Sequence, residues 1–357
     1  MVELTVDLLE KATFLAGEKL SCRITFRNTS ETQSETVAWA SAQIHCQCLY
    51  REELVKTPLD TLQSPANDTA FVPNKGEKGR TLVATDAVVL LCDLVLGPGA
   101  SRSYTYTEQI PENGPPSWSG RLVRYSYKLT VGAQRLSGTV QMLRIPFTVL
   151  KLPGSFQQPE ASQSPLNLNP FHVVDKDNAN SMEEALQRLA ADMSKKASLT
   201  YTLKNRHGVV GKLLLFRHLY RLGDSVVVSF DFTSAAVKCL QLCVTLQSCE
   251  TVPEQYSINR KHHSHCHTHG SQYEYCSHVN KLHVSLPIPP QCTHTFQSEL
   301  VTLEWQLHFE FITSPSSSDG TSDSVETMTW TLPITVVTAD PMQLLHDTFP
   351  CTQLITL

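Results

Sequence analysis

The chain has 357 residues and a formal net charge of −5, a length that favours two domains, each able to bury its own core. The mild acidity excludes a general basic field for holding nucleic acid or an anionic membrane. The longest apolar stretch, Ala87 to Leu96, is broken by Asp93 and is far too short for a membrane span, so it reads as a buried strand.

The amino terminus, MVELTVDLLEK, carries acids early and lacks the basic start and apolar core of a secretory signal, so a cytosolic chain is expected. In that compartment Cys22, Cys46, Cys48, Cys92, Cys239 and Cys243, which sit inside strand patterns, read as reduced core residues. Residues 4–9 and 20–27 predict two strands, the second entered through Gly17, and a third runs through Ala38 to Cys46. From Lys56 to Lys78 the pattern collapses into prolines, glycines and scattered charge, which predicts a long loop. Further strands are expected at 81–96, 103–109, 121–132, 136–142 and 144–150. Many short strands punctuated by Pro and Gly predict an all-β fold of immunoglobulin-type sandwiches.

Between Pro153 and Pro170 the composition shifts to Pro, Gln, Ser and Asn, marking a linker. A helix is expected next, over about 181–196. Ser181 and Glu184 form a capping box, and Ala185, Leu186, Leu189, Ala190 and Met193 form one apolar stripe that needs a partner surface. Strand patterns resume at 199–204, 212–219, 225–232, 236–248, 279–286, 299–313 and 328–337, while the tail after Asp340 has no strong pattern. The expected layout is a sandwich over 1–152, a linker over 153–198, a second sandwich over 199–340 and a tail over 341–357.

The two halves repeat one design. The windows 110–131 and 288–309 align without a gap, with identities at Ile110/Ile288, Pro111/Pro289, Leu122/Leu300, Val123/Val301 and Leu129/Leu307 and aromatics at Trp118/Phe296 and Tyr127/Trp305. Upstream, Phe14, Gly17 and Glu18 match Tyr220, Gly223 and Asp224; downstream, Ile145 to Val149 matches Leu332 to Val336. Three landmarks in the same order indicate a duplicated domain.

The tract His262, His263, His265, Cys266, His267, His269, with Cys276 and His278 after it, holds natural zinc and copper ligands. Structural zinc uses separated ligand pairs set by turns, whereas these are crowded at every second position, so the tract reads as a solvated loop without a defined metal site. Enzyme signatures are missing: no G-x-S-x-G elbow, P-loop or dinucleotide fingerprint occurs, and Gly76-Glu-Lys-Gly79-Arg80 lacks the Lys-Ser/Thr ending of a phosphate cradle.

The paired aromatic-x-x-Gly-Glu/Asp pattern, followed by Ile-Pro and a long strand with a central aromatic, resembles the arrestin-like fold of two tandem β-sandwiches. Within it, FLAGEKLSC (14–22), AWASAQIHCQ (38–47), LCDLVLGPGASRSYTYTEQIPENGPPS (91–117), YSYKLTVGAQR (125–135) and LHFEFITS (307–314) resemble the retrograde Golgi transport protein family. That family is the arrestin-like subunit of a heterodimeric guanine nucleotide exchange factor for a Golgi Rab GTPase. The resemblance implies a scaffold or co-catalytic partner of a much larger β-propeller-containing subunit, activating a Rab of the Rab-six class. It further implies peripheral association with the cytoplasmic face of Golgi membranes, service in retrograde endosome-to-Golgi and intra-Golgi transport, no cofactor and no catalytic residue of its own. The alternative is a cargo-sorting adaptor of the broader arrestin class. Pro115-Pro116 and Pro289-Pro290 lack the tyrosine of a P-P-x-Y ligand, Trp118 and Cys292 standing there, which counts against it.

The apolar stripe of Leu186, Leu189 and Met193 is the expected partner-binding surface. Replacing Leu186 and Leu189 with Asp is therefore predicted to weaken heterodimer formation while leaving both sandwiches folded; undiminished co-purification of the variant with the large subunit would remove the stripe from the interface.

Overall fold

The structure, a computed structural model, describes residues 1–9, 11–56, 72, 76–136, 138–151, 198–258, 263–314, 325–338 and 352–357. The helix expected over 181–196, with Leu186, Leu189 and Met193, lies outside the described residues, as does most of the 56–78 segment.

The fold is all-β. The first half contributes β1 (Val2–Leu8), β2 (Thr13–Leu15), β3 (Lys19–Asn28), β4 (Glu35–Tyr50), β5 (Arg80–Ala84), β6 (Val88–Leu96), β7 (Ser101–Gln109), β8 (Trp118–Ser119), β9 (Val123–Arg135) and β10 (Gln141–Leu150). The second contributes β11 (Leu199–Asn205), β12 (Gly208–Leu215), β13 (Leu219–Arg221), β14 (Ser225–Asp231), β15 (Lys238–Thr251), β16 (Ser264–Tyr275), β17 (Lys281–Pro287), β18 (Phe296–Gln297), β19 (Thr302–Ser314), β20 (Glu326–Val337) and β21 (Thr352–Thr356).

Among the described residues the first half forms two sheets, ordered β21-β1-β3-β7 and β2-β10-β9-β4-β5, with β6 also on β4 and β8 on β9. The second half repeats the plan as β11-β12-β14-β17 and β13-β20-β19-β15-β16, with β18 on β19. Alternation along each strand sends one set of side chains inward. Leu4, Ile24 and Phe26 of one sheet share a core with Ile44, Leu129 and Val131 of the other, all fully buried. In the second half Val226, Val228 and Phe230 meet Leu307, Phe309 and Phe311.

The repeat seen in the sequence holds bond by bond. Gly17 and Gly223 have φ of 86° and 91°, left-handed values that favour glycine, and their N–H groups donate to the Ile110 and Ile288 carbonyls at 3.0 and 3.1 Å. That turn delivers Phe14 in β2 alongside Val149 in β10, and Tyr220 in β13 alongside Val336 in β20, both in parallel pairing. Tyr127 donates its hydroxyl to the Pro115 carbonyl at 2.8 Å, and its counterpart Trp305 donates its indole N–H to Thr293 at 3.0 Å. The proline-rich connections are thus tied down by the central aromatic of each long strand.

Several sequence expectations need correcting. The His-rich tract is not a solvated loop: its residues from Ser264 on form β16, the end strand of its sheet, paired along its length with β15. Its alternation is between polar residues on both faces, so no apolar rung announces a strand. The patternless tail supplies β21, which pairs with β1 from Glu3↔Thr356 to Asp7↔Thr352. The apolar stretch at 87–96 is not a fully buried strand, because β6 leaves Val89 and Val95 64% and 65% exposed. Asp93, at φ 51°, interrupts its alternation and leaves Cys92 exposed instead of in the core. Cys249 and Cys266, directly opposite each other on β15 and β16, are joined as a disulfide.

The outer face of the large first-half sheet carries a half-buried polar cluster. Lys128 Nζ donates to Gln47 Oε1 at 2.9 Å and pairs with Glu77 at 2.7 Å, and Arg144 Nε lies 3.7 Å from Glu77. Against it lies His45, 1% exposed, with neither ring nitrogen hydrogen-bonded. Burial lowers its pKa to about 4, Lys128 and Arg144 acting the same way and Glu77 opposing.

An unfolded histidine titrates near 6.5, so below that pH the unfolded chain gains a proton that folded His45 refuses. The stability from keeping His45 neutral is full above about pH 6.5, falls as the pH drops toward about 4 and is absent below, at roughly 1.4 kcal/mol per pKa unit. In urea denaturation across that range, His45→Gln is expected to lose less stability than the wild type. Equal losses in the two proteins would dismiss His45 as a source of acid lability.

Candidate functional site at the seam between the sandwiches

Each half approaches its long central strand through a tight turn, in which Gly120 N donates to the Val123 carbonyl at 3.0 Å and Ser298 N to Val301 at 2.9 Å. Such a turn leaves backbone N–H groups that need acceptors. In the second half Ser298 serves its own turn: its Oγ accepts from Val301 N at 3.2 Å and donates to the Val301 carbonyl at 2.8 Å. The matching position in the first half is Gly120, which has no hydroxyl.

The acceptor comes from the other sandwich. Glu250, on β15 and 3% exposed, takes Val123 N on Oε1 at 2.9 Å and Arg121 N on Oε2 at 2.8 Å, with Leu122 N at 3.1 Å from both oxygens. The Trp118 indole N–H donates to Oε1 at 3.4 Å. A Cβ on Gly120 would stand 2.3 Å from Oε1. Glycine is therefore what allows the carboxylate so close to the backbone. Glu250 lies opposite Leu303 on β19, and in the first half Cys48 lies opposite the equivalent Tyr125 on β9. The repeat places a carboxylate on one side of the seam and a small thiol on the other.

Apolar packing closes around this bond set. Trp118 meets its counterpart Phe296 edge-on at 5.7 Å, and the Tyr125 hydroxyl lies 2.8 Å from Ser298 Oγ. Val252, Phe296, Leu300, Val301 and Leu303 of the second half belong to the hydrophobic core of the first. Backbone bonds from Lys56 N to Tyr256 O at 2.6 Å and from Ile258 N to Leu54 O at 3.0 Å extend the seam. Beside Glu250 opens a cavity of about 450 Å³ whose lining includes Trp118, Arg121, His265, His267, His269 and Cys292.

Glu250 is committed to three backbone donors and one indole, so its carboxylate is a structural acceptor. Of the residues singled out in the sequence, Leu186, Leu189 and Met193 lie outside the described residues, whereas His265, His267 and His269 are brought together on one face of β16. Glu250 escaped the sequence reading because the predicted strand stopped at 248. Its signal was an acid at an inward-facing position, visible only once the strand is known to run on to Thr251.

A family model described as Rgp1 matches residues 66–180 and 153–314. The chain is 37% identical to a Homo sapiens protein named RAB6A-GEF complex partner protein 2, over 96% of this chain and 96% of that protein. It is 37% identical to a Bos taurus protein of the same name, over 94% of this chain and 93% of that protein.

Replacing Glu250 with Ala strands four donors at a nearly closed site. A buried unsatisfied donor costs about 1–3 kcal/mol; the expected loss is about 3 kcal/mol or more, with a smaller loss for Glu250→Gln, which keeps one carbonyl oxygen. Chemical denaturation checks this, and a loss under about 0.5 kcal/mol for Glu250→Ala would mean that the carboxylate does not hold the seam.

Proposed function

The chain belongs to the Rgp1 family, and from that premise we propose that it is a subunit of a guanine nucleotide exchange factor complex acting on a Rab GTPase of the RAB6A kind. The observation that carries this reading is its similarity, over nearly its whole length, to relatives named as partner proteins of a RAB6A-GEF complex. Its role is that of a scaffold or co-catalytic partner of a large β-propeller-containing subunit. It works on the cytoplasmic face of Golgi membranes, in retrograde transport.

The physical demands of exchange agree with the fold. GDP release needs no covalent intermediate and no proton transfer; it needs a surface that binds the nucleotide-free GTPase better than the loaded one. Extended sheets with accessible edges provide such surface. Val89 and Val95 on β6 are exposed, as are Tyr273 and Tyr275 on β16, at 65% and 81%, and exposed apolar and aromatic groups on edge strands are suited to partner recognition.

The test is a pull-down joined to an exchange assay. Tagged full-length chain is expected to recover a large β-propeller-containing protein from cell extract, and the pair to release fluorescent GDP from the Rab faster than the large protein alone. Recovery of the chain without such a partner, together with release that is indifferent to its omission, would overturn the proposal. Binding to receptor-tail peptides in that case would favour the cargo adaptor.

A further inference from the structure

The cavity beside Glu250 gathers imidazoles and a thiol that the proposed exchange function does not use. Among the described residues no three metal-binding groups already surround one point, but two of them are set as ligands would be. His269 Nδ1 and Cys292 Sγ are 3.6 Å apart. With Zn–N near 2.0 Å and Zn–S near 2.3 Å, tetrahedral geometry separates such a pair by roughly 3.5 Å.

The surroundings of His269 match those of a ligand imidazole. Its Nε2 lies 2.8 Å from Ser248 Oγ, a partner that fixes which nitrogen faces the thiol. Its ring is stacked on Trp305 at 4.5 Å and 22°, which sets its plane. His267 is the next residue on the same face of β16, its ring centroid 4.8 Å from that of His269, and it is exposed, so its ring has room to turn. His265 follows on the same cavity wall. The Cys249–Cys266 disulfide involves the intervening Cys266 and leaves Cys292 free.

We propose that this cavity is a zinc site in which His269 Nδ1 and the Cys292 thiolate form a preset pair and His267 turns in as the third ligand. Water or His265 takes the fourth position. Imidazole and thiolate together select a borderline-soft cation over magnesium or calcium, and binding releases the Cys292 thiol proton to solvent. The ion joins the end strand β16 to the connection that carries Phe296 into the seam. Zinc is therefore a clip within the second sandwich, placed beside the seam.

The experiment uses full-length chain purified without a His-affinity step, treated with chelator without reductant so that the Cys249–Cys266 disulfide stays closed, and then titrated with zinc against a chromophoric competitor. One equivalent is expected, with a rise in melting temperature. Cobalt as a probe is expected to give the near-ultraviolet charge-transfer band of a thiolate ligand. Cys292→Ser should abolish that band and weaken zinc binding at least about tenfold, and exposed His267→Ala should weaken it without disturbing the fold, whereas His278→Ala should leave it unchanged. Absence of stoichiometric zinc would overturn the proposal. So would binding that survives both Cys292→Ser and His267→Ala, which would assign the metal to the rest of the His-rich tract.

Discussion

The contact between the two sandwiches turns on one carboxylate. Glu250 carries a charge into a nearly closed environment, where an unpaired ion is strongly disfavoured. It is held there because three successive backbone N–H groups and an indole N–H converge on its two oxygens. Hydrogen bonds to a charged acceptor are about twice as strong as neutral ones and more demanding in geometry. Since the donors lead directly into β9 and the acceptor sits on β15, the bond set fixes the long strands of both halves against each other. The apolar contacts of Trp118, Phe296, Leu300 and Leu303 can then pack in one way.

Duplication explains both the likeness of the halves and the place where they differ. A Gly with positive φ, a buried aromatic bonded to the preceding connection, and an antiparallel turn recur in each, because each sandwich must solve the same closure problem. Two differences then act together. Gly120 replaces the self-capping serine found at 298, leaving donors unserved and space above them; Glu250 replaces the thiol found at 48 and fills both needs. Either difference alone would be unfavourable: a serine at 120 would collide with the carboxylate, and a thiol at 250 would leave the donors without a strong acceptor. The complementarity gives the tandem pair a defined head and tail, which two identical domains would lack.

Much of the fold was legible because burial in a sandwich writes itself as alternation. Val123 to Val131 and Val301 to Phe309 read as strands, and all their apolar rungs are buried. What stayed illegible lacked that signature. The strand β16 shows polar groups on both faces, one toward a cavity and the other toward solvent, so period two was present without hydrophobic contrast. The strand β21 is a short edge whose Ile355, with Leu357 just after it, is only partly buried against the first core. Glu250 was hidden for a different reason. Its value depends on a turn 127 to 132 residues away, and no local pattern in a single sequence reports such a partner.

The return of β21 to β1 adds a second constraint on the same body. The last described residues of the chain lie on the sheet that holds its first ones, with Leu357 N donating to the Val2 carbonyl at 2.8 Å. The first sandwich thus contacts the second half through the seam and also through β21. Among the described sheets, end strands such as β6, β7, β11, β16 and β17 offer backbone edges with which a partner can still pair. For the function proposed above, presenting a fixed surface to a GTPase and to a larger subunit, such edges are an advantage, since binding there need not first order the sandwiches.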